Sequence, residues 1–331
     1  MNDVKVEINL KQIVRNIKSM RAKLASGVLF CAVVKANAYS FDDVTISQAI
    51  QNHVDMFAVA RMSEAIRLRE QGKVVKPILL LCPCEDFKSA IDHNITVTIS
   101  SIAEMHMACK ASLKGKINIH IEVNTGMNRF GVNTLWQLRT IMGLAHRHKN
   151  IDITGLYTHM ASIKQTDKQL KRFAPFKAML KRFHPRAIIH AACSEGVHLK
   201  QAQLDMVRIG KAMYGGISGY KSAVTIKAKI VAVQHLKSGD NVGYGGLFTA
   251  VKSCTVGVVN CGYANAGFLL FAPPTHIYVG KVACKILGSV CMDTIFIDAT
   301  DLPSPLGKSI TILDDLNQTD QSSARLLCSI R

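Results

Sequence analysis

A lysine stands where a buried strand is expected to end. The run VLFCAVV, residues 28–34, is apolar and rich in β-branched side chains, which is typical of a buried strand. Lys35 follows it at once, and Tyr39 comes four residues later. Lysine is almost never fully buried without a partner, because taking an ammonium group out of water carries a large free-energy penalty. The position of Lys35 therefore predicts an amine with a function.

Reactive side chains also follow other apolar runs, of which the first two-thirds of the chain contain eight. Catalytic groups of a parallel α/β barrel come from the carboxyl ends of its strands, so we expect these side chains to converge on one mouth. Taken singly, Ser194 suits a helix cap, Gly210 a turn and His159 a core histidine. Their positions at successive strand ends favour a shared site. The set comprises Lys35, Glu122, Arg129, His159, Ser194 and Arg208.

The last two strand ends have the composition of an anion site. Loops after strands seven and eight of such barrels commonly bind phosphate through backbone N–H groups at a short helix N-terminus. Ser194 and the amides of Gly210 and Lys211 suit that role. A lysine amine can form an imine with an aldehyde. A lysine beside a phosphate site therefore predicts pyridoxal 5'-phosphate, which stabilises a carbanion at Cα of an amino acid.

The elements that position these residues alternate along the chain. Segments of helical periodicity follow the first, second and fourth apolar runs: DVTISQAIQNH, MSEAIRLREQG and SIAEMHMACKA. Eight such units predict an α/β fold with a (β/α)8 TIM barrel over residues 1–220, with a doubly wound open sheet as the alternative. Beyond this point apolar and polar residues alternate between turn signals. Residues 221–331 are therefore predicted to form a mostly-β domain.

The net charge of +18 is compatible with several kinds of anionic partner. Lysine and arginine are scattered, and the densest basic stretch is KQLKRFAPFKAMLKRFHPR, residues 168–186. Its apolar spacing predicts an amphipathic helix with a basic outer face, and no nucleic-acid motif accompanies it. We expect a basic solvated surface without nucleic-acid or membrane partners.

The chain has no recognisable targeting or metal motif. The N-terminal stretch lacks the apolar core of a signal peptide, and no apolar run is long enough to span a bilayer. We therefore expect a cytoplasmic protein with free thiols among its ten cysteines. Cys82 and Cys84 lack the usual zinc spacing, so no metal is expected.

Several motifs together resemble the alanine racemase family, whose members are fold-type III pyridoxal-phosphate enzymes. The segment AVVKANAY, around Lys35, is similar to the family's cofactor-lysine motif and is the most specific match. VNTGMNRFGV resembles the family's DTGM-x-R-x-G segment. The resemblance covers nearly the whole chain. Further matches in family order are GLYTHMAS, CSEG, VRIGKAMYG, VGYGGLFTA, NCGYANAG and GSVCMDTIFID.

The resemblance implies a two-base amino-acid racemase that interconverts L- and D-alanine and supplies D-alanine for cell-wall peptidoglycan. Lys35 would carry the cofactor and be the base on one face of Cα, and Tyr244 from a second subunit would be the base on the other face. A homodimer follows from this sharing. The resemblance assigns cofactor binding to Lys35, Tyr39, His159, Ser194, Arg208, Gly210 and Lys211, substrate contacts to Arg129, Met292 and Tyr263, and supporting roles to Glu122 and Asp293.

Some positions differ from the family pattern. Glu122 stands where the family often has a carbamylated lysine, and it would supply the negative charge itself. Asn265, Leu269 and Ser289 replace an acid and two arginines, which weakens the steering of a carboxylate substrate. The sequence ends at ARLLCSIR, where the family continues into a tail that reaches the cofactor phosphate, so the C-terminal domain is expected to be shortened. The alternatives are a racemase of serine or a basic amino acid, and a weakly active cofactor-binding paralogue.

Overall fold

The computed structural model describes residues 4–265 and 274–313. The chain forms two compact units, and Val14–Met213 makes up the first. The second takes the N-terminal segment up to Ile13, which includes β1 (Lys5–Ile8), together with the chain from Tyr214 onwards. The first unit is a closed barrel of eight parallel strands and the second is built on an antiparallel sheet. The predicted fold class is confirmed.

The barrel strands follow the eight apolar runs, and each pairs in parallel with its neighbour in chain order. The last strand closes the barrel on the first, with Leu29 opposite Met206 and Cys31 opposite Arg208. The strands are β2 (Leu29–Val33), β3 (Met56–Val59), β4 (Ile78–Pro83), β5 (Ile95–Ile99), β6 (Ile117–Glu122), β7 (Ile151–Tyr157), β8 (Ile188–His190) and β9 (Met206–Ile209).

The helices include those predicted after the first, second and fourth runs. Side-chain caps fix several N-termini: the Ser101 hydroxyl accepts from the Glu104 N–H at 3.2 Å, and Thr134 with Gln137 forms a capping box. The helices are α1 (Leu10–Arg21), α2 (Lys35–Ser40), α3 (Asp43–Ile50), α4 (Met62–Glu70), α5 (Phe87–Asp92), α6 (Ile102–Ala111), α7 (Leu135–Arg147), α8 (Thr166–Phe183) and α9 (Lys200–Gln203).

Helix α8 has the predicted amphipathic character. Phe173, Phe176 and Leu180 are buried, whereas Lys168 and Lys171 are exposed. The spacing of the buried side chains matches one face of a helix, which packs on the barrel and leaves the basic face in solvent. Within the described ranges, no helix is both long enough and apolar enough to cross a membrane.

The second unit contains one large sheet and a short hairpin. The sheet runs in the order β15-β14-β17-β10-β13-β16, and β1 adds to β10. The pairing of β1 with β10 is a feature that the sequence patterns did not indicate, and the predicted boundary after residue 220 stays a prediction. The strands are β10 (Val224–Leu236), β11 (Asn241–Val242), β12 (Phe248–Thr249), β13 (Cys254–Val259), β14 (His276–Val279), β15 (Val282–Lys285), β16 (Ile295–Asp298) and β17 (Ser309–Leu313).

Candidate active site

A cavity of about 400 Å³ opens at the carboxyl ends of the barrel strands. It is the end of the barrel at which such folds carry their active sites. Cys82 and Cys193 line it without having been predicted there. The structure brings eight of the predicted residues together on its wall, although their individual roles stay predictions. These residues are Lys35, Tyr39, Arg129, His159, Ser194, Arg208, Gly210 and Lys211.

The turn that follows Lys35 is left-handed. Ala36, Asn37, Ala38 and Tyr39 all have φ values of 53° to 61°. The left-handed helical conformation costs an L-residue about 1–2 kcal/mol, so four in succession need support from the surrounding structure. The segment α2 is therefore coiled in the opposite hand to an ordinary α-helix, and both Lys35 and Tyr39 contribute to the cavity wall.

Two side-chain anchors hold the left-handed turn. The buried Glu64 carboxylate accepts hydrogen bonds from the Ala36 N–H at 2.7 Å and from the Ala60 N–H at 2.8 Å. The Asn37 side-chain oxygen accepts from the Asp43 N–H at 3.1 Å. A buried carboxylate is favourable only where several donors replace its water. Glu64 therefore ties the residue after Lys35 to the start of α4.

Gly210 permits a close approach that a larger residue would prevent. A Cβ atom placed on it would fall 1.9 Å from the Tyr39 hydroxyl oxygen. The Ser194 hydroxyl accepts from the Gly210 N–H at 3.0 Å and from the Ala212 N–H at 3.3 Å. The Ser194 hydroxyl accepts from both N–H groups and keeps its own proton to donate, and the Tyr39 hydroxyl and Lys211 lie beside it on the cavity wall. Hydroxyl and ammonium donors of this kind are suited to an anion.

Arg208 is held by acceptors on three sides. Its guanidinium donates to the Thr158 carbonyl at 2.9 Å, to His159 Nδ1 at 3.3 Å and to His190 Nδ1. It also lies over the Tyr157 ring, 4.8 Å from the centroid. A guanidinium has no acceptor, so both histidine nitrogens that face it must be unprotonated. The two imidazoles are therefore neutral where they meet Arg208.

The chain of hydrogen bonds continues below the cavity. Because His190 Nδ1 accepts from Arg208, its Nε2 carries the proton and donates to His120 Nδ1 at 2.9 Å. Burial, and then the charge of Arg208, hold the pKa of His159 and of His120 at about 3 and lower that of His190 well below its usual value. All three histidines are neutral near pH 7. None of them therefore adds a second positive charge beside Arg208.

Glu122 is buried beneath the cavity. Among the described residues, it forms no hydrogen bond with Arg129. Its carboxylate accepts from the Tyr157 hydroxyl at 3.1 Å, and that hydroxyl also meets Thr98 Oγ1 at 3.1 Å. Burial raises the pKa of Glu122 and also that of Tyr157. The carboxylate therefore supports Tyr157, on which Arg208 lies, and acts on the cavity through that ring.

Sequence reasoning missed four residues that support the site: Glu64, His120, Tyr157 and His190. The last three lie inside apolar runs, INIHIEV, ITGLYTH and AIIHAAC. Side chains on a strand alternate between the two faces, so a polar residue two positions before a strand end faces the same side as that end. This period of two was the available signal for His120, two positions before Glu122, and for Tyr157, two positions before His159.

The remaining predicted residues belong to the second unit. Tyr244 lies in the turn between β11 and β12 and is 77% exposed, and its carbonyl accepts from the Ser289 hydroxyl at 3.3 Å. Met292 and Asp293 are exposed and Tyr263 is partly buried. Their contribution to the site stays a prediction.

Tyr263 and Met292 lie on adjoining loops of this unit. The Ala264 N–H donates to the Met292 carbonyl at 2.9 Å, and the Asn265 side chain accepts from the Gly262 N–H at 3.1 Å. Asn265 thus closes its own turn with its side chain. Leu269 lies outside the described residues.

The fold and the cavity first define a class of protein, the (β/α)8 barrel enzymes. At its strand ends this barrel carries the amine of Lys35, the permanently charged guanidinium of Arg208 and a group of hydrogen-bond donors suited to an anion. Two family models then match the chain, "Alanine racemase, N-terminal domain" over residues 8–218 and "Alanine racemase, C-terminal domain" over residues 223–330. The chain belongs to the alanine racemase family, as the sequence motifs predicted.

Relatives and solved structures agree with this family over almost the whole chain. The chain is 31% identical to alanine racemase 1 of Bacillus subtilis, across 98% of this chain and 88% of that protein. It is 32% identical to the Thermodesulfovibrio yellowstonii alanine racemase, across 90% and 84%. The alanine racemase structure from Clostridium difficile 630 superposes with a TM-score of 0.88 at 25% identity, covering 100% of this chain and 94% of that one.

Proposed function

We propose that this protein is a pyridoxal-phosphate-dependent racemase that interconverts L- and D-alanine and supplies D-alanine for cell-wall peptidoglycan. The observation that carries the proposal is the single cavity in which Lys35, Arg208 and the donors around Gly210 meet. Alanine as the substrate is supported by the relatives, which are named alanine racemases. Cycloserine, present in a Clostridium difficile structure at 25% identity, is a suitable competitor to test.

The residues of the cavity fit this cofactor. Tyr39, Ser194, Gly210 and Lys211 supply donors for a phosphate, and the missing Cβ of Gly210 keeps the Tyr39 hydroxyl beside them. Lys35 supplies the primary amine to which an aldehyde attaches. Pyridoxal phosphate, when bound, provides that aldehyde and a ring that takes up the electron pair left at Cα.

Arg208 would moderate the electron withdrawal that pyridoxal phosphate supplies. It would hold the ring nitrogen of the cofactor, and because a guanidinium does not give up its proton, that nitrogen would stay unprotonated. The neutral His159 and His190 accept from Arg208 and hold it in one orientation. A moderated electron sink favours return of the proton to Cα over protonation elsewhere, which is the outcome that racemisation requires.

Lys35 and Tyr244 are the proposed bases, because racemisation removes a proton from one face of Cα and returns it to the opposite face. Lys35 lines the barrel cavity, and we assign the second base to Tyr244 of a second copy of the chain. Tyr244, Leu247 and Val251 are 77%, 74% and 87% exposed in their own unit. Neighbouring large exposed side chains of this kind are typical of an interface, which supports a homodimer.

The test combines an optical and a chemical measurement on one sample. Wild type with pyridoxal phosphate should show the absorption band of the lysine-bound cofactor and convert L-alanine to D-alanine. Lys35→Ala should lose both, and Tyr244→Phe should keep the band and lose conversion. Tyr278→Phe, in the same unit, is the matched control and should keep both. Bound cofactor without any D-alanine from the wild type would contradict the proposal.

Mixing two inactive variants tests the sharing of sites between copies. Lys35→Ala and Tyr244→Phe form mixed dimers in which one of the two sites has both intact residues. Random mixing should therefore restore about a quarter of wild-type activity. Activity that stays absent in dimers proven to be mixed would place both bases in one copy and contradict the homodimeric site.

A different amino-acid substrate is the second candidate. Asn265 and Ser289 are uncharged, and Asn265 uses its side chain to close a turn. These departures from the family pattern are the observation that favours serine or a basic amino acid as the substrate. A panel of L-amino acids decides, since rates on alanine equal to or above the others exclude this candidate. Exchange of the Cα proton into deuterated water would exclude a paralogue that only binds the cofactor.

A further inference from the structure

A second cavity lies far from the candidate active site, in a groove between α7 and α8. Its volume of about 830 Å³ is within the range of sites for small organic ligands. Met142, Met179 and Phe183 form its apolar walls. Helix α7 ends at Arg147 and β7 begins at Ile151, so this end of the helix is near the amino ends of the strands, opposite Lys35.

The floor of the groove is open because a helix residue lacks a side chain. Gly143 lies inside α7, where glycine is less favourable than alanine by about 1 kcal/mol. A Cβ atom added to Gly143 would have no atom within 4 Å among the described residues, apart from its chain neighbours and the nearby backbone of α7 itself. No packing contact therefore requires glycine here, and its effect is to leave space between Met142 and the opposite helix.

Two arginines, Arg139 and Arg182, give the rim of the groove its positive charge. His146 and His184 also line it, and burial lowers the pKa of His184, which favours its neutral form. Among the described residues, no carboxylate lines the groove. The negative end of a helix dipole accounts for basic residues in a last turn, such as His146 and Arg182, but not for Arg139, which lies in the first half of α7.

The nearby acids and the rim cations are not paired with each other. Asp152, whose charge acts on His184, pairs with Lys116 at 3.6 Å, and Asp205 pairs with Lys181 at 3.0 Å. In the part of the chain that the structure describes, neither Arg139 nor Arg182 pairs with a carboxylate. The Arg182 guanidinium lies 5.7 Å from the centroid of the Phe183 ring, which is 64% exposed.

We propose that this groove binds an amphipathic anion, a small molecule with an apolar body and one carboxylate, sulfonate or phosphate. The body occupies the space above Gly143 between the methionines and Phe183. The anionic group binds Arg139 and Arg182, which have no acidic partner among the described residues. Apolar walls with a few convergent charged groups are the usual composition of a small-molecule site. The site is separate from the racemase cavity and does not depend on the reaction.

The test titrates the full chain, saturated with pyridoxal phosphate to fill the barrel cavity, with the fluorescent anion 8-anilinonaphthalene-1-sulfonate. We expect one saturable site that decanoate displaces and that acetate and decanol do not. Gly143→Leu should fill the groove and weaken binding by about tenfold or more. Ala178→Leu, an exposed position of α8 outside the groove, is its matched control and should bind as wild type does.

Charge is tested in the same titration. Arg139→Gln with Arg182→Gln should weaken binding of the anion by about tenfold, because both charged partners are lost. Lys168→Gln with Lys171→Gln lowers the net charge equally outside the groove and should leave binding unchanged. Equal weakening by both pairs would show a net-charge effect and overturn the proposal. Binding that survives Gly143→Leu, in protein with an unchanged circular dichroism spectrum, would overturn it as well.

Discussion

The two halves of the barrel interior differ in chemistry although the same kind of strand builds both. On the side of β2, β3 and β4 the interior is an apolar cluster that includes Cys31, Val33, Met56 and Leu79, and it extends to Met206 at the start of β9. On the side of β6, β7, β8 and β9 the interior carries His120, Glu122, Tyr157, His190 and Arg208, joined by hydrogen bonds and ring contacts.

The difference shows how a barrel can hold a charged group without an ion pair. The apolar half keeps its own titratable group neutral, since burial raises the pKa of Cys31 to about 12 despite the nearby charge of Arg208. The polar half surrounds Arg208 with neutral acceptors, so the guanidinium is solvated by the protein. The apolar half supplies packing, and the polar half sets the orientation and protonation of groups under the cavity.

The largest contrast is expected for methionine substitutions in the two halves. Arg208→Met removes a donor from His190 and from the Thr158 carbonyl, and each buried acceptor left alone costs about 1–3 kcal/mol. Leu79→Met conserves volume in the apolar half and should cost less than about 1.5 kcal/mol. Urea unfolding measures both. Equal losses of unfolding free energy in the two variants would contradict the division of the interior.

The strands and the main residues of the cavity could be predicted because their signals are local. Each barrel strand is an apolar run, and Lys35, Ser194 and Arg208 lie at or near the ends of such runs. The left-handed turn could not be predicted, since its alanines have no local preference for positive φ and the anchor Glu64 comes from another βα unit. The same holds for β1, whose pairing with β10 is decided by residues more than two hundred positions away.

The next contrast concerns two glycines of the barrel unit. A Cβ atom on Gly155 would fall 2.6 Å from ring atoms of His120, so Gly155→Ala must displace that ring and break its hydrogen bond with His190. We expect a loss of unfolding free energy of about 1–3 kcal/mol. Gly143→Ala meets open space in a helix and should instead stabilise by about 1 kcal/mol. Thermal unfolding measures both changes in stability. A change of the same sign in the two variants would contradict these environments.

A smaller effect is expected in the pH dependence of stability. The pKa of His120 is lowered to about 3 in the folded protein, whereas an unfolded histidine titrates near its ordinary value of 6.5. Between these values the unfolded chain binds more protons, so stability falls as the pH falls. His120→Asn keeps an acceptor for His190 and should reduce this slope by about 1 kcal/mol per pH unit. His106→Asn, at an exposed position of α6, should leave the slope unchanged.

The smallest effect is expected when the ionisable carboxyl group of Glu122 is removed. Burial raises the pKa of this carboxyl above its unfolded value, so the stability associated with the protonated form is full at low pH and is lost as the pH rises through the folded pKa. Glu122→Gln keeps an acceptor for the Tyr157 hydroxyl and removes the buried charge. We expect a higher unfolding free energy than wild type at pH 8 and little change at pH 4, as measured by urea unfolding at the two pH values.

Two controls connect the Glu122 substitution to the contrast between the halves. Glu85→Gln, at an exposed position, should have no effect at either pH. Cys31→Ala, in the apolar half, should lose stability by the same amount at pH 4 and pH 8, because its thiol is neutral at both. Destabilisation of Glu122→Gln at pH 8 would mean that attraction to Arg208 and Arg129 outweighs desolvation. The polar half would then depend on a buried ion pair and not on neutral acceptors.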